Sequence, residues 1–166
     1  MHAEAFAFLS TVVGWLGDTE GLRVLEYGVH DVNGSPRRLF PRAAEYVGVD
    51  PWGGPGVDVM GRAQDYDGGG RFDVVITAEA MEHDPDAAGQ IAAAWRALRP
   101  GGKLLITAAS TGRAPHRCDG TPGELNGEHY ANIPAGELAD WLEGWTEKMV
   151  QYDPAHGDVY AWAVKP

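Results

Sequence analysis

Only one of the chain's 166 residues is a cysteine, Cys118, and this excludes an internal disulfide framework or a zinc site made from cysteine pairs. Positive charge is also scarce: thirteen Lys and Arg stand against twenty-four Asp and Glu, a formal net charge of −11. No basic patch offsets that balance, so nucleic acid and anionic membrane surfaces are disfavoured as partners. No apolar run reaches the ~18 residues of a transmembrane helix. The apolar stretch of residues 5–15 is broken by Ser10, Thr11 and Gly14, and with Glu4 before it and no basic segment it does not read as a secretory signal. Internal repeats and an interdomain linker are missing too. What remains is a single domain over residues 1–166, expected in the cytoplasm, and long enough to bury about 70% of the surface its unfolded chain exposes.

The elements present alternate between strand and helix. Phe6, Leu9, Val13 and Leu16 recur at helical spacing and predict an N-terminal helix over 3–16, within an N-terminal segment of residues 1–20. Residues 22–27 read as a first strand. Ser35 is a good N-cap and Pro36 suits the first helical position, but Pro41 keeps that helix short. Strands are expected at 46–50, more weakly at 57–60, and at 72–78, whose continuously apolar centre suits a strand covered on both faces. A helix opening at Pro85 and Asp86 would bury Ala88, Ile91, Trp95 and Leu98, and Arg99-Pro100-Gly101-Gly102 would break the chain before a strand at 103–108. A long polar loop at 109–133 precedes a helix opened by Pro134, with Leu138, Trp141, Leu142 and Trp145 on its core side. Strands at 148–152 and 159–164 could pair as a hairpin. The pattern predicts an α/β fold: a Rossmann-like, doubly wound, mostly parallel sheet with a C-terminal antiparallel hairpin at one edge.

Open parallel sheets bind ligands beyond the carboxyl ends of their strands, and Gly28 stands at that place after the first strand. Asp50 follows twenty-two residues later at the end of the second, close to the ~20-residue spacing at which an acid meets ribose hydroxyls. A dinucleotide fingerprint would need glycine at positions occupied by His30 and Asn33, and no phosphate-binding G-x-x-x-x-G-K-[ST] loop is present. The pattern therefore points to a nucleoside without a phosphate chain.

Five segments in order resemble the class I S-adenosylmethionine-dependent methyltransferases. They are Val24-Leu25-Glu26-Tyr27-Gly28, Tyr46-Val47-Gly48-Val49-Asp50, Gly61-Arg62-Ala63-Gln64-Asp65, Phe72 through His83, and Trp95 through Leu104. The resemblance implies S-adenosyl-L-methionine as cofactor and S-adenosyl-L-homocysteine as product. It implies that Glu26, Tyr27 and Gly28 bind the methionine and ribose part, Asp50 the ribose hydroxyls, and Pro51 and Trp52 pack beside adenine. Ala63 and Gln64 would meet the adenine edge, and Ala78 and Glu79 the methionine end. The loop Asp31-Val32-Asn33-Gly34-Ser35 departs from the usual first motif and matches an N-G-S variant, and Arg62 stands where an aspartate is common.

The expected reaction is methyl transfer to a small-molecule oxygen or nitrogen acceptor, with His83, His129 and Glu79 as candidate proton acceptors. No Asn-Pro-Pro-Tyr or Asp-Pro-Pro-Trp segment follows the fourth strand, which disfavours amine methylation on DNA bases. Glu82-His83 could alternatively cap the next helix, and His129-Tyr130 could merely anchor the 109–133 loop, which with the N-terminal helix is the material expected for an acceptor site. His116-Arg117-Cys118-Asp119 lacks a second histidine or cysteine pair nearby in sequence, so no metal is expected. A non-catalytic cofactor-binding scaffold and, less well supported, a nicotinamide-dependent oxidoreductase are the other readings.

Overall fold

The computed structural model describes residues 1–31 and 34–166; Val32 and Asn33 of the variant loop lie outside the described residues. The helices are α1 (Ala3–Leu16), α2 (Ala87–Ala97) and α3 (Ala135–Trp141), and the strands are β1 (Arg23–Tyr27), β2 (Glu45–Asp50), β3 (Val59–Met60), β4 (Phe72–Ala78), β5 (Leu98–Ala109), β6 (Thr146–Asp153) and β7 (Asp158–Val164). Among the described residues these strands form one sheet in the order β3-β2-β1-β4-β5-β7-β6. Pairing is parallel from β3 to β5 and antiparallel for β5-β7 and β7-β6, which is the expected sheet with its C-terminal hairpin at one edge. Chain order reverses between β1 and β4, and ligands of such sheets collect beside that reversal.

Alternate residues of the central strands feed two cores. Val24, Val74, Ile76 and Leu105 face α1, meeting Leu9, Val12 and Val13. Leu25, Val75, Leu104 and Ile106 face the other way, toward Ile91 and Ala94 of α2 and Leu138 of α3. Burial on both faces explains why β4 reads as a continuous apolar run rather than an alternating one.

The segment after β1 forms a 3-10 turn, Pro36–Leu39, rather than an α-helix. Ser35 caps it, its hydroxyl accepting the Arg37 N–H at 3.1 Å. Two expectations shift in detail. The Arg99-Pro100-Gly101-Gly102 segment does not separate helix from strand: β5 starts at Leu98, directly after α2, and a register irregularity between Phe72 and Val74 absorbs the distortion. Gly101 adopts φ +74°, and its N–H bonds the Lys165 carbonyl at 2.8 Å, so the glycines carry on the pairing of β5 with the chain that follows β7. The buried residues of α2 are Ala87, Gln90, Ile91, Ala93, Ala94 and Ala97, with Ala88 exposed. Gln90 turns inward because its amide is satisfied there: its Oε1 accepts the Thr77 hydroxyl at 2.8 Å, and its Nε2 donates to Asp84 at 2.9 Å.

Candidate functional site

The carboxyl ends of β1, β2 and β4 open into a cavity of about 580 Å³, roofed by the N-terminus and the loop after β5. Gly28 forms part of its floor. Its φ is +70°, and a Cβ there would lie 2.2 Å from the Ala80 Cβ, so two turns meet at a spacing that no side chain allows.

Two buried carboxylates flank Gly28. Asp50, 5% exposed, accepts the His30 N–H at 3.1 Å on one oxygen and the Trp52 N–H at 2.8 Å on the other. Each oxygen keeps a lone pair for a further donor on the cavity side, where Asp50 is part of the lining. Glu26 also lines the cavity, accepting the Tyr46 hydroxyl at 2.7 Å and the Ser35 hydroxyl at 3.3 Å. Burial pushes its carboxyl up to about 8, against the opposing hydrogen bonds from Tyr46 and Ser35. His30, Pro51, Trp52, Arg62, Ala63 and Ala78 complete this side. Trp52 lines the cavity and is 66% exposed.

Two residues expected here lie elsewhere. Tyr27 points into the core beneath the sheet, 1% exposed, because successive strand residues face opposite sides and Glu26 takes the cavity side. Gln64 does not line the cavity; its amide donates to Asp84 and to the Asp86 carbonyl, both at 2.8 Å, bracing the wall from behind. Asp84 thus joins Gln64, Gln90 and, at 3.3 Å, Arg62. The sequence signal for this hub was a glutamine in the apolar stripe of α2.

The opposite side carries Glu79, His83, Arg113 and His116, with Met1 and His2 at the rim. Glu79 has φ +55°, a left-handed conformation costing roughly 1–2 kcal/mol for a residue with a Cβ, held by its N–H bond to Thr107 at 2.8 Å. Burial opposes ionisation of Glu79, but His2, 3.0 Å away, and Arg113 outweigh it and hold the carboxyl below its ordinary range. Arg113 is anchored by Asp158 at 2.6 Å. The N-terminal segment and the 109–133 loop are the material expected at an acceptor site, but the sequence does not single out His2 or Arg113 within them, since each reaches the cavity only through the fold.

His129, proposed as a proton acceptor, is exposed and outside the cavity lining; its neighbour Tyr130 turns inward instead. The Tyr130 ring meets His83 at 5.6 Å and His116 at 4.9 Å between centroids, and the two imidazoles lie 5.1 Å apart, all edge to face. Burial, then the nearby His116, lowers the His83 imidazole. Glu82 does not cap α2; that role belongs to Asp86, whose carboxylate accepts the Gly89 N–H at 3.2 Å. Glu82 is fully buried, and one of its oxygens accepts the Ala109 N–H at 3.1 Å. Burial, then the neighbouring charge of Glu79, pushes its carboxyl up to about 8.

No protein-family model and no curated protein sequence matches the chain. Solved structures do. One is the 1,6-didemethyltoxoflavin-N1-methyltransferase of Burkholderia thailandensis, with S-adenosylhomocysteine bound: 21% identity, TM-score 0.67, covering 97% of this chain and 78% of that one. Another is phosphoethanolamine N-methyltransferase 2 of Haemonchus contortus, at 16% identity and TM-score 0.69; 96% of this chain aligns, but only 52% of that one. A third, an S-adenosylmethionine-dependent methyltransferase of Mesorhizobium loti, is 13% identical at TM-score 0.62, and nearly the whole of both chains aligns, 93% and 96%. At such identities the likeness carries architecture: this chain has the fold of the class I S-adenosylmethionine-dependent methyltransferases.

Proposed function

We propose that the chain transfers a methyl group from S-adenosylmethionine to an oxygen or nitrogen of a small-molecule acceptor. The observation that carries this reading is the floor of the cavity. Two buried carboxylates, Glu26 and Asp50, stand at the ends of adjacent strands on either side of Gly28 and open into one space. A volume of about 580 Å³ is within the usual range for a small-molecule site. The residues fit the cofactor: Asp50 can accept two vicinal hydroxyls, Glu26 suits a cationic amino group, and the exposed ring of Trp52 suits a purine.

When bound, S-adenosylmethionine supplies a methyl group already activated on a sulfonium sulfur. The chain's remaining task is to align an acceptor and exclude water. Glu79, Arg113 and His83 face the space in which an acceptor would stand, with His2 and Met1 closing the rim. Of the proton acceptors expected from the sequence, Glu79 and His83 stand on that side. The net charge of −11 supports a small acceptor over a polyanion. No helix among the described residues is long and apolar enough to cross a membrane, and a reducing cytoplasm would suit the exposed Cys118 thiol.

Titration calorimetry with S-adenosylmethionine, S-adenosylhomocysteine and NAD tests the reading. Both methionine-derived ligands should bind and NAD should not. Preference for NAD, or silence toward the other two, overturns it. Tight binding with no transfer of labelled methyl across a broad panel of small hydroxyl and amine acceptors would favour the scaffold reading.

A further inference from the structure

We propose that Glu82, His83 and His116 form a binding site for one divalent transition-metal ion on the acceptor side of the cavity. Each residue presents a ligand atom, and the three atoms lie within 4.8 Å of one another. Ligands about 2 Å from a shared tetrahedral ion sit roughly 3.4 Å apart, so side-chain shifts on the order of 1 Å close the set. The three residues come from two distant places in the chain, the turn after β4 and the loop after β5. The sequence expectation of no metal rested on His116 lacking a second histidine; the fold supplies His83 from thirty-three residues away.

Three independent features point to a cation. First, Glu82 is fully buried with one carboxylate oxygen bonded to the Ala109 N–H and the other without a hydrogen-bond partner. A buried acceptor left unpaired is costly, and an ion is a partner that satisfies it. Second, His83 Nδ1 is also buried and without a partner. Third, His116 Nδ1 lies 3.2 Å from the Ala114 carbonyl, a bond that holds the proton on Nδ1 and leaves the Nε2 lone pair free. Tyr130 packs against both imidazoles and restricts their rotation.

Two imidazoles with one carboxylate select a borderline ion such as zinc, cobalt, nickel or iron over magnesium or calcium. His83 and His116 both line the cavity, so the remaining coordination positions would face the space where an acceptor stands. An oxygen-bearing acceptor could be held there by the ion. That role rests on the methyltransferase reading, and Glu79 is then the proton acceptor left, since His83 is engaged. The ion site itself does not depend on that reading.

The test uses the full chain, stripped by chelator and titrated with cobalt(II) and with zinc, read by calorimetry and visible absorption. The expected result is one equivalent of cobalt per chain, with ligand-field bands that zinc bleaches. His116→Ala, in the exposed loop, should weaken cobalt binding at least tenfold and remove the bands, and His83→Ala should do the same. Glu82→Gln, checked for folding by circular dichroism, should weaken it further still. His156→Ala, on the β6–β7 hairpin turn with its imidazole on Asp153, should leave cobalt binding unchanged. Absence of saturable cobalt uptake, or uptake unaltered in both histidine variants, overturns the site. Calorimetry with S-adenosylmethionine on the same preparations separates the two ideas. Cobalt bound without the cofactor would sink the proposed function alone; cofactor bound without cobalt would sink the metal site alone.

Discussion

Along one wall of the cavity the lining stands on strand ends or within two residues of them: Glu26, Gly28, Asp50, Trp52 and Ala78. Along the other, Arg113 and His116 hang from a long irregular loop, and His2 comes from the chain's first residues. The first wall is positioned by sheet register, with Glu26 paired to Gly48 and Ile76 and Gly28 bonded to the Val49 carbonyl at 2.9 Å. Glu79 apart, which follows β4 directly, the second is positioned by side chains: Asp158 holds Arg113, Asn132 bonds the Arg113 carbonyl at 3.1 Å, and Ser110 bonds the Ile133 carbonyl at 2.7 Å. A wall set by register suits a constant ligand. A wall set by loop contacts can change what it binds without disturbing the sheet.

The largest expected effect is on the first wall. Gly28→Ala forces a side chain into the left-handed region and against Ala80, and should cost roughly 2–4 kcal/mol in denaturant unfolding while abolishing cofactor binding. Wild-type stability in this variant would show that the floor is not set by that close contact. Asp50→Ala removes a charged acceptor and should weaken S-adenosylmethionine binding on the order of 100-fold. Unchanged affinity in calorimetry would remove Asp50 from the ribose role.

The buried Glu26 carboxyl predicts a linked proton. Its folded-state value of about 8 lies above the ordinary 4.5, so between these the free folded chain holds a proton that the unfolded chain has lost. Stability of the free chain should therefore fall as pH rises through that window. A cationic ligand beside Glu26 favours the ionised form, so binding should release a proton and tighten as pH rises from 5 toward 8. Calorimetry in buffers of different ionisation enthalpy reads this directly, and Glu26→Gln should flatten it. The smallest effect belongs to Trp52, whose exposed ring contributes little to the fold. Trp52→Ala should weaken cofactor binding about 3–10-fold and leave the unfolding midpoint in place.

The register-built wall is also the one that could be read from the sequence. The β1 and β2 segments, Gly28 between them and Asp50 at a characteristic distance follow from local pattern, since strand period and turn chemistry act over a few residues. Tyr27 belongs to that same pattern yet faces the core, because motif membership does not say which face a strand residue takes; the pleat does. Gln64 turns its amide away from the cavity because its partners, Asp84 and Asp86, meet it only after β4 has folded back. His129 and Tyr130 are adjacent, and nothing local says which turns inward.

Periodicity, turn residues and motif order by themselves determined the α/β class, the hairpin edge, α1 to the residue and the strand-end positions of Glu26 and Asp50. Tertiary structure decided the inward face of α2, the continuation of β5 through its glycines, and the meeting of Glu82, His83 and His116. The division has a physical cause. Backbone conformation responds to near neighbours, whereas burial of Gln90 or Glu82 depends on partners that chain folding brings from elsewhere, and a polar group goes inside only where such a partner awaits it.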